Sequence, residues 1–179
     1  MRHSINEEIK DEHFEMINSI NLEGPASCRR STSGGLIMLG SHLIKSWSST
    51  QKVTALSSGE AEYYAIVKGA CQGIGVRSML QDFQVNGASQ RHVEIKEDSS
   101  AAKGIASRRG LGKLKHIDIK ELWIQEKVNS EELKITKVPG TVNLADALTK
   151  YCDVHVTKYH LEHTSQHISN DRHKLMPTV

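Results

Sequence analysis

Leu56-Ser57-Ser58-Gly59-Glu60-Ala61-Glu62-Tyr63-Tyr64-Ala65 reads as the start of a long helix, and the rest of the chain is best taken outward from it. Ser57 stands three residues before Glu60, the spacing at which side chains satisfy free backbone N–H groups at a helix start. Ala61, Ala65, Ile66, Val67, Ala70, Cys71 and Ile74 then recur at helical spacing, and the apolar face persists to Met79 and Leu80. The helix is expected to stop near Phe83, before the turn-forming Asn86-Gly87. Glu60 and Glu62 point roughly 200° apart on such a helix, so at most one faces an inner surface. If Glu60 caps the helix, Glu62 is the carboxylate left free on its first turn. The alternative is that both are first-turn acids favoured by the helix dipole.

The chain has 179 residues, which suits one domain with an appendage. Aromatic residues are only 4% and hydrophobic residues 37%, so the core must be mostly aliphatic, yet large enough to fold alone. A net charge of +2 decides nothing about nucleic acid, and local clusters matter more. Cys28, Cys71 and Cys152 are far apart and include no Cys-x-x-Cys pair, which argues against a disulfide framework and a thiolate zinc site. No apolar run approaches the ~18 residues of a membrane span. The N-terminus, Met1 to Glu8, lacks the apolar core of a signal peptide. The expectation is an intracellular protein, cytoplasmic or nuclear, with no membrane partner.

Upstream of the helix, residues 1 to about 26 are mixed and acidic, with a short strand expected from Asn18 to Leu22 and a loose helix or disorder in the segment 1–17 before it. Cys28-Arg29-Arg30-Ser31-Thr32-Ser33-Gly34-Gly35 reads as a polar turn. It leads into Leu36–Leu39, Gly40-Ser41 and His42–Trp47, two β-rich runs about a tight turn, hence a hairpin. Lys52 to Leu56 is expected to be a further short extended piece.

Downstream, His92-Val93-Glu94-Ile95-Lys96 alternates as a strand with one buried face would, and Ser99 to Ala106 looks helical. Asp98 therefore stands at the C-terminal end of a strand, where open α/β sheets place ligand-binding groups. Alternatively, Asp98 or Ser99 only caps the following helix. Lys103, Arg108, Arg109, Lys113, Lys115 and His116 form the most basic stretch, broken by Gly110 and Gly112. Such a loop either contacts phosphates or is simply solvated. Ile117–Val128 reads as an amphipathic helix, Leu133–Val138 as a strand ended by Pro139-Gly140, and Asn143–Thr149 as a helix capped by Asn143. Asp146 lies on its first turn, where a helix dipole also favours an acid. The segment 151–179 is a His-rich tail in which His160, His163 and His167 have helical spacing that could share a metal, though no acidic or thiolate partner is fixed nearby.

Glu62, Asp98 and Asp146 thus sit at element ends in an α/β order with an antiparallel start. Carboxylates gathered in this way suit two Mg²⁺ ions flanking a phosphodiester. Six segments bear on this: Arg29–Gly34, Ser46–Ser49, Ala55–Tyr63, Asp98-Ser99-Ser100-Ala101-Ala102, Lys115-His116-Ile117-Asp118-Ile119 and Leu144-Ala145-Asp146-Ala147-Leu148-Thr149-Lys150. From Cys28 to Lys150 the chain resembles the ribonuclease H domain of copia-type LTR-retrotransposon Pol polyproteins, in order and at family-like spacing. The resemblance implies a mixed five-stranded sheet flanked by helices over 18–150, between residues 1–17 and the tail 151–179. It also implies a site for two Mg²⁺ (or Mn²⁺) ions that hydrolyses the RNA strand of an RNA–DNA hybrid. Glu62, Asp98 and Asp146 are then the second, third and fourth members of an acidic tetrad, serving as catalytic groups and metal ligands. Arg108, Arg109, Lys113 and Lys115 become contacts to the hybrid backbone. His116 lies outside the loop before the last acid, where the family's general-acid histidine belongs, and has no catalytic role.

The first member of the tetrad is missing. The family carries Asp-x-Asp-Trp-Ala-Gly on its first strand, and counting back without a gap puts Ser19, Asn21, Leu22, Glu23 and Gly24 under that segment. Only the glycine agrees, and Glu23 is the nearest substitute acid. The reverse transcriptase domain of the parent polyprotein is absent from this chain as well. The expectation is a detached copy of the element's last domain with impaired metal-dependent hydrolysis. The alternatives are a non-catalytic nucleic-acid-binding or structural remnant of the Pol polyprotein, and an interaction module built on the His-rich tail.

Overall fold

Two β-rich runs meeting at Gly40-Ser41 form the hairpin with which the sheet begins, and Gly40 supplies the left-handed φ of 58° that the turn needs. In the computed structural model, which describes residues 14–21, 30–85, 92–110, 112, 117 and 122–168, the hairpin strands are β2 (Thr32–Leu39) and β3 (His42–Thr50). The remaining elements are β1 (Phe14–Asn21), α1 (Ser58–Asp82), β4 (Val93–Glu97), α2 (Ser100–Ser107), α3 (Trp123–Asn129), β5 (Leu133–Lys137) and α4 (Val154–His163). Two 3-10 segments, Gly140–Val142 and Leu144–Leu148, lie between β5 and α4. The expected turn at Asn86-Gly87, together with Arg29, Glu23, Lys113, Lys115 and His116, lies outside the described residues.

The five strands form one mixed sheet in the order β3-β2-β1-β4-β5. β1 pairs antiparallel with β2 and parallel with β4, and β4 pairs parallel with β5. One face of the sheet is covered by α1, α2 and α3 over Ile37, Tyr63, Ile66, Val93, Ile95 and Ile124. On the other, Ile17, Leu36 and Met38 pack against Ala145, with Leu144 and Leu148 alongside. Aliphatic side chains dominate both layers, as the low aromatic content requires.

Several sequence expectations are corrected. Thr32-Ser33-Gly34-Gly35 belongs to β2 and not to a turn. The small residues are there because other elements press on the strand: a Cβ on Gly35 would lie 2.1 Å from Trp47 Cζ2, and one on Gly34 2.6 Å from Thr149 Cγ2. Lys52–Leu56 forms no strand, and its neighbour Gln51 is instead buried and donates to Ser33 Oγ (2.8 Å) and to the Ala61 carbonyl (2.7 Å). Among the described residues of the Ile117–Val128 stretch, regular helix runs from Trp123, while 118–121 lie outside the described residues. The Asn143 segment is a 3-10 helix, with Asp146 N bonded to Asn143 O (3.2 Å) and Thr149 N to Asp146 O (3.1 Å). That tighter winding suits a run of five residues laid flat over Gly34. β1 starts at Phe14, so 14–17 is strand and not the loose helix or disorder expected before Asn18.

The Trp47–Gly35 contact allows a stability prediction. Gly35→Ala must displace the indole, costing roughly 1–3 kcal/mol by overpacking. A fall in melting temperature of about 3–10 °C is expected, and an unchanged melting temperature would show that the ring does not lie over the glycine.

Candidate active site

α1 begins as its sequence requires: the Ser57 side chain accepts from Glu60 N at 3.2 Å. Glu60 is buried, and its Oε2 accepts from Leu56 N at 2.9 Å, one residue ahead of the position a capping box would use. Glu60 is thus a structural acid at the helix start. That leaves Glu62, half-buried on the first turn, free to face inward. α1 sits close against α2 here, since a Cβ on Gly59 would lie 2.8 Å from Ala101 Cβ.

β4 carries the next group to the same place. Its buried side chains alternate as Val93, Ile95 and Glu97, so the strand ends with a fully buried glutamate followed by half-buried Asp98. Ser99, and not Asp98, caps α2, accepting from Ala102 N at 3.2 Å. Glu97 Oε1 accepts from Asp98 N (3.1 Å) and Ser99 N (3.2 Å). Glu62, Glu97 and Asp98 each offer a carboxylate oxygen within 4.8 Å of the others. Glu62 Oε2 and Glu97 Oε2 are buried and accept from no N–H or hydroxyl group, their contact being carboxyl to carboxyl.

Asp146 stands outside that trio but within its electrostatic reach, and its charge raises the Glu62 pKa. Its Oδ2 accepts from Lys150 Nζ at 2.8 Å, one turn on. Burial would lower the Lys150 pKa, but the bond to Asp146 and the charges of Asp146, Asp98 and Glu62 outweigh it and raise it. Burial, then the charge of Asp98, pushes Glu62 up to about 7, against the opposing pull of its side-chain hydrogen bond with Glu97 and of Lys150. Burial, reinforced by Glu62, pushes Glu97 up to about 10, against the stabilising Ser99 N–H. Crowded carboxylates in a poorly hydrated cleft resist ionisation unless a cation joins them. The donor set is all oxygen, and two buried oxygens are reached by no N–H or hydroxyl donor, so the residues present fit a hard divalent cation such as Mg²⁺ or Mn²⁺.

Sequence reasoning named Glu62, Asp98 and Asp146 but missed Glu97 and Lys150. Both carry a signal: Glu97 extends the buried parity of Val93 and Ile95, and Lys150 stands at i+4 from Asp146. Of the basic residues, exposed Arg109 and half-buried Arg108 are described, whereas Lys113 and Lys115 are not. The Arg108–Gly110 loop is held by buried Gln125, which accepts from Gly110 N (2.8 Å) and donates to Ile105 O (2.9 Å) and Gly110 O (3.1 Å). In the tail, His160 Nδ1 lies 2.9 Å from Leu144 O and His163 Nδ1 2.8 Å from Tyr159 O, so backbone carbonyls engage these ring nitrogens. Among the described residues, no histidine joins a metal-ligating group, and no helix is long and apolar enough to cross a membrane.

No family model matches the chain. It is 33% identical over 131 residues, 73% of its length, to the retrovirus-related Pol polyprotein from transposon TNT 1-94 of Nicotiana tabacum. Over 121 residues, 67% of its length, it is 32% identical to the retrovirus-related Pol polyprotein from transposon RE1 of Arabidopsis thaliana. The chain spans about a tenth of the length of these curated relatives. Its fold is similar to that of the N-terminal RNase H domain of a Mycobacterium tuberculosis protein, solved as a fusion with maltose-binding protein, with a TM-score of 0.50 at 14% identity. That likeness covers 87% of this chain and 98% of the other. The resemblance and fold class read from the sequence are both borne out: the chain belongs with the retrovirus-related Pol polyproteins of transposons, as a ribonuclease H-like domain.

Proposed function

We propose that this domain binds RNA–DNA hybrid and divalent metal, and that its hydrolysis of the RNA strand is impaired because β1 carries Ser19 where the family carries an aspartate. The observation that supports this best is the meeting of Glu62, Glu97 and Asp98 at the end of β4, each with a carboxylate oxygen within 4.8 Å of the others. When bound, two Mg²⁺ or Mn²⁺ ions would supply charge neutralisation at the attacking and leaving oxygens. Glu62, Asp98 and Asp146 are the residues of this chain that would hold them. Arg108, Arg109, Lys113 and Lys115 hold the hybrid backbone by charge, independently of the metals. The working unit in this reading is 18–150, extended upstream to Phe14 by β1, with 151–179 as a flanking tail. A substrate of this kind places the protein in the cytoplasm or nucleus. A second reading, a binding or structural remnant of the Pol polyprotein without turnover, is favoured by the neutral Ser19 alone.

Two measurements test the proposal. Millimolar Mg²⁺ or Mn²⁺ should raise the melting temperature by binding only the native state, and Asp98→Asn should abolish most of that rise. Fluorescence anisotropy on a labelled hybrid should show salt-sensitive binding, with Arg109→Ala reducing the log–log salt slope by about 1. A protein that neither gains stability from metal nor binds hybrid would overturn the proposal.

A further inference from the structure

We propose that Glu97 takes the role that the first strand does not supply, holding one divalent cation together with Glu62 and Asp98. The inference rests on the ribonuclease H-like reading and adds to it a ligand from β4. Glu97 is fully buried, and only half of its carboxylate is used by the fold. Oε1 accepts the Asp98 and Ser99 N–H groups, while Oε2 is reached by no N–H or hydroxyl donor and meets only the Glu62 carboxyl. Capping does not explain the second oxygen, because α2 is already capped by Ser99. A buried carboxylate oxygen without a donor is costly, and a structural role would be served as well by glutamine, whose amide could donate. Glu62 likewise has a buried Oε2 that no N–H or hydroxyl donor reaches. The close seating of Gly59 on Ala101 presses the first turn of α1 against that of α2, bringing the two glutamates together. Together with Asp98 they offer three oxygens within 4.8 Å, the hard donor set that Mg²⁺ and Mn²⁺ take. A cation there would bridge the two carboxyls in place of their shared hydrogen bond. Ser19, whose neutral hydroxyl is a poor substitute for a carboxylate, then leaves this site dependent on Glu97.

The test is Mn²⁺ binding to the full chain, read from the electron paramagnetic resonance signal of the free ion, with no nucleic acid present. The near-isosteric Glu97→Gln should weaken Mn²⁺ binding by at least about tenfold while raising or preserving the metal-free melting temperature. Adding Ser19→Asp to Glu97→Gln should recover most of the lost affinity, which a merely structural glutamate would not allow. Should Glu97→Gln fail to fold, Glu97→Asp keeps the charge but withdraws it by one methylene, and must show a comparable loss. Affinity within about twofold of the unaltered chain for the folded Glu97 variant, alongside lost binding in Glu62→Gln and Asp98→Asn, would overturn the role of Glu97 and leave the ribonuclease H-like reading standing. Loss without recovery by Ser19→Asp would overturn the claim that Glu97 stands in for the first strand. Unchanged affinity in all three single variants would remove the metal site itself.

Discussion

Ser19→Asp should raise cleavage of a labelled RNA–DNA hybrid by roughly a thousandfold, from a barely detectable rate in the unaltered chain. The position follows from the family's first-strand segment, under which Ser19 falls. β1 runs parallel to β4, with Phe14–Ile17 opposite Val93–Lys96, so it continues toward the end of β4. In two-metal hydrolysis each ion needs anchoring oxygens, and a carboxylate shared between the ions fixes their spacing. A neutral hydroxyl at that place forfeits several kcal/mol of transition-state stabilisation. Asn21→Asp, two residues beyond, serves as a positional control and should restore much less. The comparison is made in Mg²⁺ and in Mn²⁺. Robust cleavage by the unaltered chain, lost on Glu62→Gln, would sink the impaired-enzyme reading. Silence from Ser19→Asp would place the defect elsewhere than the first strand.

In chelator, the protein should lose stability as pH rises from about 5 to 9, by on the order of a few kcal/mol. The sign follows from the raised pKa values of Glu62, to about 7, and Glu97, to about 10. Both groups bind protons more tightly in the native than in the unfolded chain. Their contribution is fully present below the unfolded carboxyl pKa of 4.5 and is lost as pH climbs through 7 toward 10. Glu94 acts oppositely: burial would raise its pKa, but Thr136 and Lys134 lower it, so its contribution is lost only in acid, below that window. Manganese should reverse the alkaline loss, because the ion binds the ionised cluster and displaces its protons. Thermal melts at pH 5, 7 and 9, with chelator or with millimolar Mn²⁺, measure both effects. Glu62→Gln should flatten the chelator profile. A profile that is flat or rising over this range in the unaltered chain would mean that the carboxyls do not crowd one another.

Local chemistry alone determined a good part of this protein. The Ser57 cap, the apolar run of α1, the Gly40-Ser41 hairpin and the alternation ending at Asp98 are all set by neighbours within a few residues, and the structure has each of them. The motif order from Arg29 to Lys150 carried the family and, with it, the five-stranded mixed sheet. Tertiary contacts decided the rest. Thr32–Gly35 looked like a turn because small polar residues favour turns; Trp47 and Thr149, far from them in sequence or brought over by the 3-10 segment, make small residues necessary in a strand. Glu97 was legible only as a parity, since an acid at a buried strand position could equally have turned toward solvent at the strand end. Its burial depends on α1 closing over β4, and its open oxygen on Glu62 arriving from 35 residues away in sequence. Lys150 could be seen beside Asp146 from an i, i+4 spacing, but its influence on Glu62 exists only because the 3-10 segment lies against Gly34 of β2. Electrostatic coupling depends on distance in space, and only the folded sheet brings these charges within range.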